Sequence, residues 1–140
     1  MALGLYWVPT VLNATNQTRC DARIAHYDRV IATRPNYHLL VDYTVAKILF
    51  KGKQAIGVQY LPTAGGNVST VYASKEVILA AGALHTPQIL QLSGVGPKPL
   101  LDSLKIPVVS DLPGVGSNMQ DQASLEAPYN CKLFRFPLPI

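Results

Sequence analysis

The sequence predicts a mixed α/β fold in which an antiparallel β-meander leads into one buried strand and a short helix. Three observations predict it. Residues 44–72 alternate apolar and polar side chains in short runs separated by glycine-bearing turns, the pattern of hairpin strands that bury one face. Val77-Ile78-Leu79 is then continuously apolar, which suits a strand covered on both faces. Directly after it, "AAGALHTPQILQLSGVG" (80–96) passes from small residues through Thr-Pro into an apolar helical period.

The elements follow in order. Residues 1–17 read as extended or loop-like. Thr18 is placed to cap a helix from Arg19 to about Ile31, with Ile24, Tyr27, Val30 and Ile31 on one face. Pro35 in "TRPN" stops it, because proline disfavours helix at the residue before it. "YHLLVDY" (37–43) and "TVAKILF" (44–50) are rich in branched and aromatic residues and predict strands. In the second, Val45, Lys47 and Leu49 lie opposite Ala46, Ile48 and Phe50. "KGK" (51–53) is a turn, and "QAIGVQYLP" (54–62) puts Ile56, Val58 and Tyr60 on one face. "TAGGN" (63–67) turns again and "VSTVYA" (68–73) returns.

After the buried strand, Thr86 is the predicted helix cap and Pro87 the first helical residue. Ile89, Leu90 and Leu92 give the helix an apolar side and Gly94 ends it. "KPLLDSL" (98–104) predicts a second short helix, Val108-Val109 a brief strand, and "DLPGVGSN" (111–118) a loop. No shift in composition or charge divides the chain, so residues 1–140 are expected to form a single segment. It is expected to be an incomplete one, since a buried strand needs neighbours along both edges.

Composition narrows the function classes. Of 140 residues, 49% are hydrophobic and 14% charged, a balance that buries surface instead of remaining disordered. The net charge is +4, but the basic residues are scattered, without the stripe a nucleic-acid reader uses. Cys20 and Cys131 show neither metal-ligand spacing nor C-x-x-C. The longest apolar run, Val77 to Leu84, falls well short of the ~20 residues that span a bilayer. "MALGLYWVPT" lacks the basic start of a signal peptide. The sequons at Asn13, Asn16 and Asn67 nevertheless permit a secreted origin, and Asn67 falls at the tip of a turn.

The stretch from Ala80 carries the functional signal. Small residues at the carboxyl end of a parallel-type strand leave space where open α/β sheets place ligands. A helix starting beside them offers free N–H groups and a positive dipole end, which favour an anionic group. Close packing of helix on strand is the alternative use of the same small residues.

"GALHTPQILQLSGVG" (82–96) resembles the second signature of the glucose-methanol-choline (GMC) flavin oxidoreductases. Gly82-Ala83, Thr86-Pro87, Ile89-Leu90 and Ser93-Gly94-Val95-Gly96 fill its fixed points. "RPNYHLL", "VAKILFKGKQAIGVQY", "KEVILAAGA" and "DLPGVGSNMQD" resemble further family segments in the same order. "YWVPT" and "TRCDARIAHYD" are similar to the fungal, aryl-alcohol-oxidase-like and glucose-oxidase-like members. The resemblance runs from about Tyr6 to Phe136.

It implies part of an FAD/NAD(P)-binding Rossmann-like domain, with the meander attached and without the N-terminal βαβ unit. It also implies FAD as cofactor and oxidation of a small alcohol to a carbonyl. The valine matching Val45 sets its backbone against the adenine in this family, and the residues matching Ala81 and Gly82 pass close to the dinucleotide. His85 and Thr86 are further cofactor-contact candidates.

The family's G-x-G-x-x-G is absent from the sequence. "GVGSN" (114–118) follows a proline loop and lacks the third glycine. The family's late His–His or His–Asn pair is absent too, so no catalytic residue is assigned. His26 and His38 read as packing or surface residues. Asp121 is followed by Gln122 where the family usually has Asp-His. Two other readings stay open: a truncated, non-enzymatic chain that does not bind FAD, and a small β-rich binding module.

Overall fold

The computed structural model describes residues 11–13 and 15–121. The chain divides after Asp42 into two compact units.

The described part of the first unit contains a hairpin pairing. Leu12 and Arg19 form an antiparallel bridge, with Asn13 N–H donating to Thr18 O (2.8 Å) and Cys20 N–H to Val11 O (3.1 Å). This pairing holds residues 18–20 extended, so the helix starts later than the sequence predicts. It runs as a π turn (Arg23–Tyr27), one α turn (α1, Asp28–Val30) and a 3-10 turn (Ile31–Thr33). Thr18 does not cap it. The Thr18 N–H and hydroxyl both go to Asn16 Oδ1, and Asp21 Oδ1 accepts the Ile24 N–H at 3.0 Å.

The helical stretch ends at Thr33, two residues before Pro35, as the proline requires. Residues 37–42, predicted as strand, pair with no described residue. Leu39, Leu40 and Val41 are exposed, and Asp42 breaks the extended run with φ +62°. A β-prone sequence without a partner strand has no ladder to join.

The second unit contains the predicted meander. β1 (Tyr43–Lys51), β2 (Gln54–Pro62) and β3 (Ser69–Tyr72) form one antiparallel sheet in that order. Ile48, Val58 and Val71 stand across from one another. Gly52 makes the first turn at φ +61°. Gly57 lies under β3 so closely that a Cβ would meet the Val71 carbonyl. Ala46 is the extra residue of a bulge between the pairs Val45↔Tyr60 and Lys47↔Gln59. The simple alternation read from 44–50 therefore breaks there, since a bulge turns the following side chains to a new direction.

The predicted strand at 77–79 is not formed. Residues 76–80 have no strand partner among the described residues, and Ile78 is 79% exposed. The continuous apolar run is real, but a parallel strand exists only by pairing with neighbours.

α2 (Gly82–Leu92) begins five residues earlier than predicted. Gly82 enters it at φ +84°, a conformation open to glycine. Thr86 and Pro87 thus lie inside the helix instead of at its cap and first position. The Thr86 hydroxyl reaches back to accept the Ala81 N–H (3.0 Å). The helix closes as predicted, with Ser93 at the C-cap and Gly94 beyond it at φ +87°.

β4 (Val95–Gly96) then pairs in parallel with β5 (Ser110–Asp111), with α3 (Lys98–Ser103) between them. The second strand lies two residues beyond the predicted Val108-Val109. The Val109 and Ser110 N–H groups both donate to Gly94 O, which sets the register. Lys98 and Asp102 pair at 2.8 Å along α3, and their hydrogen bond, then their charge attraction, holds the lysine above its ordinary pKa. Leu101 of α3 is wholly buried and forms the core with Ile48 and Val95. No helix among the described residues is long and apolar enough to cross a membrane.

Candidate functional site

α2 packs along β1, and the gap left at their shared end is a cleft of about 600 Å³. One side comes from β1, with Tyr43, Thr44, Val45 and Ala46; the other comes from Ala81, His85, Gln88, Ile89 and Leu92. Three predicted cofactor-contact residues, Val45, Ala81 and His85, are therefore brought to one place from positions up to 40 apart in the chain. The bulge at Ala46 lies in this wall, a common position for bulges beside binding sites.

Gly82 stands outside this cleft. With Ala81 and His85 it lines a second hollow of about 400 Å³, which Met119, Gln120 and Asp121 bound on the far side. A side chain at Gly82 would meet nothing within 4 Å. Its φ requires glycine, while the space beside it is free. Thr86 lines neither hollow. It acts on the site indirectly, by holding the Ala81 N–H.

The chemistry of the walls is simple. β1 and α2 supply mostly apolar surface and the small side chains of Ala46 and Ala81. The polar groups are few. His85 Nδ1 lies 3.0 Å from Gln88 Oε1, one turn along the helix, and Thr44 Oγ1 lies 3.1 Å from Thr63 Oγ1. No acidic residue occupies the first turn of α2, so its positive end is not neutralised by the helix itself. A mostly apolar cleft of this size with a few polar groups matches the usual form of a small-molecule or cofactor site.

Two residues outside the predicted contact set fix α2 against its neighbours. Buried Ser93 accepts the Ile48 N–H at 2.8 Å and donates to Ile89 O at 2.6 Å. It ties the end of α2 to the middle of β1. Gln91 donates from Nε2 to Val115 O at 3.1 Å, and its side chain fills the space beside Gly96 and Gly116, where a Cβ would crowd it. In the sequence Ser93 is a fixed point of the signature, with nothing to show what it touches. Its partner lies 45 positions away, and no local pattern reveals such a pair.

The remaining polar candidates do not join the site. His26 and His38 are exposed in the first unit. The "GVGSN" segment is a series of turns, with Val115 N–H donating to Leu112 O and Ser117 N–H to Gly114 O. β5 precedes it, but no helix follows it among the described residues, so the strand-turn-helix context of a dinucleotide fingerprint is missing there. Gln122 and Cys131 lie outside the described residues.

The chain belongs to the GMC oxidoreductase family, whose profile matches residues 7–124. Its architecture corresponds to the Rossmann-like N-terminal region of that family. Among individual relatives, it is 56% identical over 126 residues to dehydrogenase xptC of Emericella nidulans, covering 90% of this chain and 20% of that protein. It is 46% identical over 125 residues to the GMC oxidoreductase family protein Mala s 12 of Malassezia sympodialis, covering 86% and 20%.

Among solved structures, an FAD-dependent oxidoreductase from Chaetomium thermophilum superimposes with a TM-score of 0.74 at 62% identity, over 78% of this chain and 19% of that one. A fungal aryl-alcohol oxidase does so with a TM-score of 0.64 at 42% identity, over 69% and 16%. The chain thus spans about a fifth of the length of the curated relatives it matches.

Proposed function

We propose that this chain forms the adenine-side wall of the FAD site in an FAD-dependent oxidoreductase acting on the CH–OH group of a small alcohol. The observation that carries the reading is the cleft that unites Val45, Ala81 and His85. FAD, when bound, supplies the hydride acceptor, at flavin N5, for conversion of the alcohol to a carbonyl.

The residues here bind and orient. The β1 segment around Val45 offers main chain and an apolar face to a flat ring. Ala46 and Ala81 keep bulk away from it, and Gly82 leaves the approach to the helix start open. The amide end of α2 favours a negatively charged group. Ser93 keeps β1 and α2 at a fixed separation, so the cleft is formed before the cofactor arrives. No residue of this chain is assigned as the base that takes the hydroxyl proton.

The test uses the two halves of the cofactor separately. Adding ADP to the isotope-labelled chain is expected to move the amide resonances of Val45, Ala46, Ala81, Gly82 and His85, while riboflavin leaves them in place. Shifts confined to other residues, or equal shifts with riboflavin, would overturn the adenine-side assignment.

A second reading draws on residues 76–80, which have no strand partner among the described residues. By itself the chain leaves the sheet beside its cleft unfinished, so it retains no FAD and turns over no substrate. The purified chain is then colourless. Stoichiometric flavin absorbance would refute this second reading and leave the first standing.

A further inference from the structure

We propose that Asn67 is an acceptor for an N-linked oligosaccharide. It begins the sequon Asn67-Val68-Ser69, whose middle residue is not proline. Asn67 is exposed in the connection between β2 and β3, just after Gly65 and Gly66 turn the chain at φ +91° and +142°.

Asn13 and Asn16 are exposed as well and share one tight hairpin, in which the side-chain oxygens, not the nitrogens a transfer would use, make the local bonds. Asn13 Oδ1 accepts the Thr15 N–H, and Asn16 Oδ1 accepts both the N–H and the hydroxyl of Thr18.

An independent observation points the same way. β3 is an edge strand of the meander, and all four of its residues are exposed. Val68 and Tyr72 are 56% and 71% exposed. From 67 to 73 the sequence has no charge and no proline. Such an edge invites pairing with another chain, and proteins usually guard it with charge, proline, a bulge or a cover. A large hydrophilic group anchored two residues before the strand supplies that cover.

The transfer balances without redox change. Asn67 Nδ2 forms a bond to the anomeric carbon of an oligosaccharide carried on a lipid pyrophosphate. The anomeric C–O bond breaks, the lipid pyrophosphate leaves with its electron pair, and one amide proton is released.

The experiment produces the chain in yeast behind a cleavable secretion leader. Peptide-N-glycosidase in heavy-oxygen water then converts each glycosylated asparagine to labelled aspartate, and peptide mapping locates the label. Cell-retained and secreted pools are both mapped, so failure to secrete does not remove the readout. Label at position 67 is expected, to be lost in Ser69→Ala and kept in Ser69→Thr. Unlabelled Asn67 in both pools, or label that survives Ser69→Ala, would overturn the proposal.

Discussion

Ser93 shows how much one small polar side chain settles. Its hydroxyl is both acceptor for a strand amide and donor to a helix carbonyl, in a position closed to water. Replacing it with alanine leaves the Ile48 N–H buried without a partner, and a buried unsatisfied group costs about 1–3 kcal/mol. Urea unfolding of Ser93→Ala is expected to show a loss of that order; a change within the error of the midpoint would remove Ser93 from this role.

Gly94 and Gly82 make a paired comparison. Both have φ near +85°, so alanine at either meets a left-handed penalty of about 1–2 kcal/mol. Only at Gly94 does the added Cβ also strike the Pro107 carbonyl and crowd Val109. Gly94→Ala is therefore expected to destabilise clearly more than Gly82→Ala in the same urea titration. Equal losses would mean that the loop at 107–109 yields without cost.

At the scale of elements, pairing decides what propensity can only suggest. The meander is legible because its strands are consecutive and joined by glycine turns, so each finds its partner locally. Val77-Ile78-Leu79 has an equally strong apolar pattern but no partner among the described residues. Hydrogen exchange separates the two cases. The Ile48 amide, bonded to Ser93 and buried, is expected to be well protected, and the Ile78 amide to exchange at nearly the unstructured rate. Comparable protection at both would show that 77–79 pairs after all.

The helix boundaries carry the same lesson. Thr86-Pro87 is a sound cap-and-first-residue pattern, yet Gly82 starts the helix a turn earlier and the threonine hydroxyl serves Ala81 instead. Thr18 loses its predicted cap role because hairpin bonds claim its surroundings first. In both places a local preference yields to a contact that satisfies more backbone groups.

For the whole molecule, the apolar content is high but the fully enclosed core of the described residues is small. Ile48, Val95 and Leu101 are its buried apolar members, drawn from β1, β4 and α3. Leu101 is the one wholly enclosed large side chain among them. Leu101→Ala should cost about 2–5 kcal/mol, the usual range for emptying a core leucine site. Thermal unfolding of the second unit then moves to lower temperature; an unchanged transition would show that α3 contributes no core.

The sequence by itself determined the family, the meander with its turns, the glycine end of α2 and the identity of Val45, Ala81 and His85 as candidates. These rest on short-range patterns: alternation, turn residues and a contiguous signature. Only the tertiary structure decided that those three residues share a cleft, that Gly82 opens beside it, that Ser93 braces it, that Gln91 ties α2 to the loop at Val115, and that 77–79 has no strand partner among the described residues. Each of those depends on groups distant in the chain meeting in space. A linear pattern encodes which groups are present, while hydrogen-bond satisfaction and packing determine which of them meet.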